Sequence, residues 1–407
     1  MINQLSITNF RSIVHLALSL SYGEAKAPNG YQDWETVPFL ERKNGGRVVP
    51  LLGMYGANAS GKSTIIQALD ILQKLLDGYS STLYMPNRLH PELEHTEFVI
   101  SGTTCEEKAF CYTIQYDAHE ILREELTYNG KRQYLRDKEC IDLAVLQQKH
   151  YDIARLREIY RVECLNQDGK HICPILGKLA RNYSGLSYAV SSVFQVLTAG
   201  MRVYCGNSFS SGMGIKVLKN ALGGDDKMRA AFAEIEELLR KLDLGIQRME
   251  YNPFLANDED NPLEAIKTYH NDIAGKEVQF SFTEESMGTQ AAFGLLGVCL
   301  AALHSGSVLV IDEIDSSLHS LLVAAIVQLF KNKRYNQHGA QLLFSAHNTD
   351  LLDHNLLRVS EVAIINKNLR HGTTVKRLCE FEGLRNVNNF RKRYLEGGFS
   401  GIPFPYL

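Results

Sequence analysis

The 407-residue chain is 45% hydrophobic and 22% charged, ordinary for a globular protein with a sizeable core. Its length accommodates two or three domains, or one domain with a large insertion. A formal net charge of −3 argues against wholesale electrostatic affinity for nucleic acid, although a local basic face fits within a balanced total.

The first ten residues lack the basic and apolar regions of a leader, and no run approaches the roughly 18 apolar residues of a membrane span. The expected location is therefore cytoplasmic, with no membrane partner. The eight cysteines (Cys105, Cys111, Cys140, Cys164, Cys173, Cys205, Cys299 and Cys379) form no CxxC pair or ligand spacing. They read as buried thiols in a reducing compartment rather than a zinc site.

In chain order, residues 2 to 20 alternate as a strand pair, with Leu5, Ile7 and Phe10 before a turn at Asn9-Phe10-Arg11-Ser12, and Ile13, Leu16, Leu18 and Leu20 after it. Arg11 reads either as a neighbour of a bound nucleotide or as a solvated turn residue. Tyr22 to Gly46 has loop composition. From Val48 the chain reads strand, glycine-bounded loop, helix: Val48, Val49, Leu51 and Leu52, then Gly56-Ala57-Asn58-Ala59-Ser60-Gly61-Lys62-Ser63-Thr64, then Ile65, Ile66, Ala68 and Leu69. This is the context a phosphate-binding P-loop requires. Phosphate oxygens need donors converging from one side, so the loop turns its N–H groups inward and aims a helix N-terminus at the anion. Lys62 is expected between the β- and γ-phosphates of ATP, and the Ser63 hydroxyl on Mg²⁺. The bland alternative is a chance glycine turn before a helix.

After a polar stretch from Gly78 to Glu94, alternation returns at Phe98–Ile100, Ala109–Tyr116 and Glu124–Tyr128, followed by Asn129-Gly130, predicting a small antiparallel β-region. Gln115 is a candidate for a glutamine that senses Mg²⁺ and water, set against an ordinary outward-facing polar residue. Residues 142 to 243 read as mainly helical, in an insertion whose Arg155, Arg157, Arg161, Lys178 and Arg181 read as a solvated helix face or as contacts to nucleic acid or a partner protein.

A second set of motifs follows. Thr283 to Gln290 places Ser286 and Gly288 just before a helix rich in small and apolar residues, an anion-binding end. Ser307 to Glu313 is an apolar run closed by two carboxylates, as expected of a buried parallel strand whose end reaches the site. Asp312 is expected to hold Mg²⁺ and Glu313 to polarise the attacking water as general base. Gln341–Ala346 is another apolar strand, and it ends at His347, placed to contact the γ-phosphate.

In this order the motifs resemble those of the ABC-type ATPases: P-loop, signature, acidic strand end, D-loop and switch histidine. Glu285-Ser286-Met287-Gly288-Thr289, Ser316-Ser317-Leu318-His319 and Phe344 to Asp353 look more closely like the OLD-like and RloA-type branch, as does the tail Tyr394 to Pro403. The resemblance covers residues 1 to about 76 and 277 to 407 well. Relatives usually carry a basic residue soon after the signature Gly-Thr, whereas Gln290-Ala291-Ala292 follows here.

The resemblance implies an α/β, ABC-ATPase-type P-loop fold with a mixed central sheet, an antiparallel β subdomain and a helical insertion. Its halves are expected at 1–141 and 277–407, around an insertion at 142–276. It also implies a head-to-tail homodimer or higher homo-oligomer, in which Ser286 and Gly288 of one subunit bind ATP held by the other's Lys62. The function so implied is an ATPase that senses and switches in a prokaryotic antiviral defence system, controlling a separate effector. The alternative is an SMC-like DNA repair ATPase that binds DNA directly, disfavoured by an insertion too short for long paired arms. The 60 residues after His347 (348 to 407) are too few for a fused Toprim nuclease, so any nuclease effector is expected on another chain.

Overall fold

The computed structural model describes the chain except for residues 23–36, 38, 42–45, 138–140, 143–157, 159, 163, 183–186, 207–210, 223–224, 243–244, 253–261, 317, 354, 369, 383–388 and 402–407. Its central feature is a mixed sheet of thirteen strands. In spatial order these are Ile141–Asp142, Lys131–Arg136, Ile121–Tyr128, Ala109–Tyr116, Thr96–Thr103, Ile2–Phe10, Ile13–Ser19, Gly372–Arg377, Val362–Asn368, Leu51–Tyr55, Gln341–Ser345, Val308–Ile311 and Met201–Tyr204. Neighbours are antiparallel as far as Val362–Asn368 and parallel from there to Met201–Tyr204.

The antiparallel half follows the alternation in the sequence. Asn129 and Gly130, both with positive φ (50° and 75°), turn Ile121–Tyr128 into Lys131–Arg136. Thr96–Thr103 pairs with Ile2–Phe10, so this β-region is continuous with the central sheet.

The parallel half is apolar throughout because both its faces are covered. Every residue of Leu51–Tyr55, Val308–Ile311 and Gln341–Ser345 is buried. Leu52, Met54, Val310, Leu343 and Ile365 pack on one side with Ile65, Leu69 and Leu72 of the helix Lys62–Asp77. Leu51, Tyr55, Ile311, Phe344 and Ile364 pack on the other side with the helix Met287–Ser305. Against the expectation that no run approaches a membrane span, that helix is long and apolar enough to cross one, and most of it is buried inside the protein. The helices Ser211–Leu222 and Asp225–Lys241 cover its outer side. The crossing with Ser211–Leu222 is backbone to backbone: a Cβ on Gly297 would lie 3.0 Å from the Gly214 Cα.

Between Asp142 and Lys276 the described residues include helices at Ile175–Asn182, Tyr188–Leu197, Ser211–Leu222 and Asp225–Lys241, but strands as well. Met201–Tyr204 forms the edge of the parallel half, and Arg248–Tyr251, Ile266–Asn271 and Glu277–Ser281 make a separate antiparallel sheet that leads straight into the segment at Ser286. The buried Glu124 carboxylate joins the β-region to this stretch. It accepts the N–H groups of Ile175 (2.7 Å) and Leu176 (2.9 Å) at a helix start and the hydroxyls of Tyr112 and Tyr134. Arg181 pairs with Asp77 and stands over the Phe194 ring, so it serves packing; Arg155 and Arg157 lie outside the described residues.

Candidate nucleotide-binding site

The loop after Leu51–Tyr55 is shaped by close approach. A Cβ on Gly56 would stand 2.3 Å from the Ile365 carbonyl oxygen, and one on Gly61 would stand 2.2 Å from Thr373 Oγ1. Ala59 (φ 62°) and Gly61 (φ 110°) are left-handed, a geometry that turns successive N–H groups to one side as an anion nest. Behind the loop, the Thr373 hydroxyl donates to the Ser60 carbonyl (3.0 Å) and shares a hydrogen bond with Ser12 (2.8 Å), which in turn reaches Thr64 (3.3 Å). Among the described residues no side chain caps the helix Lys62–Asp77, so its first-turn N–H groups depend on an acceptor from outside the helix. Lys62 Nζ donates to the carbonyls of Gly56 (2.7 Å) and Ala57 (3.1 Å). Burial pulls its pKa below the ordinary lysine value, while Asp312, Asp315 and Glu313 act in the opposite direction.

Those carboxylates follow the strand Val308–Ile311. Ser345, fully buried at the end of the adjacent strand, organises them. Its hydroxyl donates to Asp312 Oδ1 (2.5 Å) and accepts the Glu313 N–H (2.8 Å). Glu313 is itself left-handed, with φ 52°, a conformation that costs energy for a residue with a side chain. Its Oε1 lies 3.4 Å from His347 Nε2. Asp315 fixes the segment carrying that histidine, accepting the N–H groups of His347 (2.9 Å) and Asn348. The motifs read from the sequence gave no role to Ser345 or Asp315. Their signal was slight: a lone hydroxyl at the end of an apolar strand, and a third acid just beyond Asp312-Glu313.

Residues Asn58 to Thr64, Glu313 and His347 line one cleft of about 940 Å³, together with Arg11, Ser12, Lys367 and the segment Tyr84 to Leu89. Arg11 is thus beside the loop, and its guanidinium donates to Gln67. Asp312 stands behind the cleft, held by Ser345. Gln115 does not line it; on its antiparallel strand it hydrogen-bonds Glu97, as an outward polar residue does. Ser286 and Gly288 also line no part of it. Ser286 caps the helix Met287–Ser305, accepting the Thr289 N–H at 3.1 Å, and the neighbouring Met287 is 85% exposed. Gln290, the residue after Gly288-Thr289, folds back to donate to the carbonyls of Glu285 and Thr283. Of the D-loop, His319 caps the helix Ser320–Gln328 through Nδ1, and Ser317 lies outside the described residues.

These residues fit a nucleoside triphosphate. A cradle that side chains on Gly56 or Gly61 would fill, a buried lysine and, among the described residues, an uncapped helix start and a buried Ser60 hydroxyl with no hydrogen-bond partner all suit phosphate oxygens. They also fit Mg²⁺, which takes one or two protein ligands beside phosphate and water: the Ser63 hydroxyl and the Asp312 carboxylate are of the right chemistry. Among the described residues no cluster of three His, Cys, Asp or Glu side chains exists that would bind a metal unaided.

Residues 202–353 match the family model described as an AAA domain, putative AbiEii toxin, Type IV TA system. The match takes in the segment at Ser286, the Asp312-Glu313 strand end and His347, and spans less than half the chain. No curated protein matches. Among solved structures, the chain is similar to the SmcHead bound to the C-winged helix domain of ScpA, with 14% identity over 92% of this chain and 96% of that one, at a TM-score of 0.45. It is also similar to the recombination mediator protein RecF-ATP of the RecFOR pathway, with 13% identity over 86% of this chain and 94% of that one, at a TM-score of 0.34. The mixed sheet, the P-loop and the two strand ends beside it make this an α/β fold of the P-loop kind.

Proposed function

We propose that this chain binds ATP with Mg²⁺, closes with a second copy of itself around the nucleotide and hydrolyses it, as sensor and switch of a prokaryotic antiviral defence system of the OLD-like kind. In this reading it controls a separate effector such as a nuclease. One observation carries the nucleotide chemistry: Lys62, Glu313 and His347 line a single cleft, while Ser286 and Gly288, which suit an anion equally well, line no part of it. In this reading Ser286 completes a phosphate site on another chain.

Within the cleft Lys62 exchanges the Gly56 and Ala57 carbonyls for phosphate oxygens, and the loop N–H groups and helix start hold the rest of the anion. Mg²⁺, when bound by Ser63 and Asp312, supplies charge neutralisation. Glu313 takes the proton of the water that attacks the γ-phosphorus, and the bond to the leaving ADP oxygen breaks. His347, in contact with Glu313, donates to the γ-phosphate and senses its presence. Loss of that phosphate releases the clamp. The defence role draws support from the toxin named in the description of the matching AAA domain.

Glu313→Gln tests the reading. It keeps ATP binding, abolishes turnover and accumulates the closed oligomer in sedimentation with ATP. Turnover at the wild-type rate removes Glu313 as the base, and wild-type sedimentation indifferent to ATP removes the paired-chain clamp. Hydrolysis that requires added DNA decides for the SMC-like alternative.

A further inference from the structure

The residue preceding Ser286 is an acid, and its placement is not explained by the chemistry above. A carboxylate beside an anion-binding helix start opposes any phosphate brought there, since like charges a few ångströms apart repel strongly in a partly desolvated interface. In this structure the Glu285 side chain is turned inward and is only 8% exposed, although Ser286 and Met287 on either side of the helix start face solvent. Its Oε1 accepts from His270 Nε2 at 2.7 Å and from the hydroxyl of the fully buried Thr268. Both partners lie on Ile266–Asn271, the central strand of the small antiparallel sheet. Phe280 braces the imidazole edge to face, with ring centroids 5.2 Å apart, and Gln290 holds the Glu285 carbonyl from the other side at 2.9 Å.

We propose that His270 and Thr268 clasp the Glu285 carboxylate away from the face that receives the second chain's ATP, making His270 a positioning residue for nucleotide-dependent association. The small sheet is then the support that sets the charge at the signature turn. This rests on the reading of Ser286 as a site completed in trans.

The test uses the full chain in the hydrolysis-deficient Glu313→Gln background, titrating ATP with Mg²⁺ and following association by sedimentation. His270→Ala frees the carboxylate and raises the ATP concentration for half-maximal association by about tenfold or more, the scale of one unit charge at a screened interface. Adding Glu285→Gln removes the charge and returns the midpoint to within about twofold of the starting value. A clasp that only supports the fold would not be rescued this way, so failure of the double variant to recover overturns the proposal. Should His270→Ala melt early, Glu285→Gln alone decides: an unchanged or lower midpoint is expected, and a tenfold rise refutes it. Ser286→Arg separates the two levels. If it abolishes association while His270→Ala has no effect, the clasp is wrong and the trans site stands; if association survives Ser286→Arg, the trans site itself fails and the clasp with it.

Discussion

Replacing Ser345 with alanine isolates how the Asp312-Glu313 turn is held. The hydroxyl donates to the Asp312 carboxylate at 2.5 Å and accepts the Glu313 N–H at 2.8 Å, in a position with no solvent access. A hydrogen bond to a charged group contributes about 1.5–3 kcal/mol, and a neutral one about 1 kcal/mol, so Ser345→Ala costs about 2.5–4 kcal/mol of stability. The variant also releases Glu313 from its left-handed backbone, worth about 1–2 kcal/mol of strain. Relaxation of that size shifts most of the population away from the observed geometry. The expected result is a urea midpoint lowered in proportion and a kcat for ATP down about tenfold. The ATP concentration for half-saturation, set by the Lys62 loop, moves by less than about twofold. A stability loss under about 1 kcal/mol together with an unchanged kcat would show that neither bond matters and that Glu313 needs no anchor.

Further outcomes follow from burial. Desolvation lowers the folded-state pKa of Lys62 below its ordinary 10.5, so the native chain binds fewer protons than the unfolded one between those values and stability rises with pH there. Lys62→Met accordingly leaves the ATP-free melting temperature equal or higher and abolishes the rise on adding ATP; a thermal shift titration checks both. Gly297→Val drives a side chain into the Gly214 backbone, and lowers the unfolding midpoint by about 1–3 kcal/mol or more; an unchanged midpoint would mean the two helices part freely. His171, beside Tyr160, is pushed down from 6.5 to about 4, first by burial and then by Arg136. The unfolded chain then holds the extra proton between those values, so stability drops as pH falls from 6.5 towards 4, and melting curves of His171→Gln flatten across that window.

The parts of the site that were legible in the sequence share a physical cause. A parallel strand covered on both faces must be apolar throughout, so Leu51–Tyr55 and Val308–Ile311 announce themselves, and the polar residues that end them mark where chain meets ligand. Met201–Tyr204 carries no such mark. It is four residues long, includes an arginine, and becomes a strand only through parallel pairing with Val308–Ile311, far along the chain. The small sheet was hidden for a related reason. Residues 277 to 280 are exposed, so no alternation records a buried face, and the sheet is held by pairs such as Arg248 over the Tyr269 ring at 3.7 Å. Gln115 failed as a candidate because a polar residue on an alternating strand looks the same whether it faces a ligand or a neighbouring Glu97.

The packing of the signature helix limits how the proposed switch moves. Met287–Ser305 is buried along most of its length between the parallel strands and Ser211–Leu222, and the Gly214 crossing brings backbone against backbone. Close-packed interiors resist continuous sliding, so Ser286 cannot approach its own Lys62 by shifting the helix along the sheet. Its support on the other side, the sheet that holds Glu285, is tied to the same turn. In the proposed clamp the segment at Ser286 is therefore a fixed feature of each chain, and closing a site around ATP would be a rigid-body approach of two chains. Switching between open and closed then depends on what each half presents at the contact, the charge at Glu285 on one side and the Glu313–His347 pair on the other, rather than on refolding within either chain.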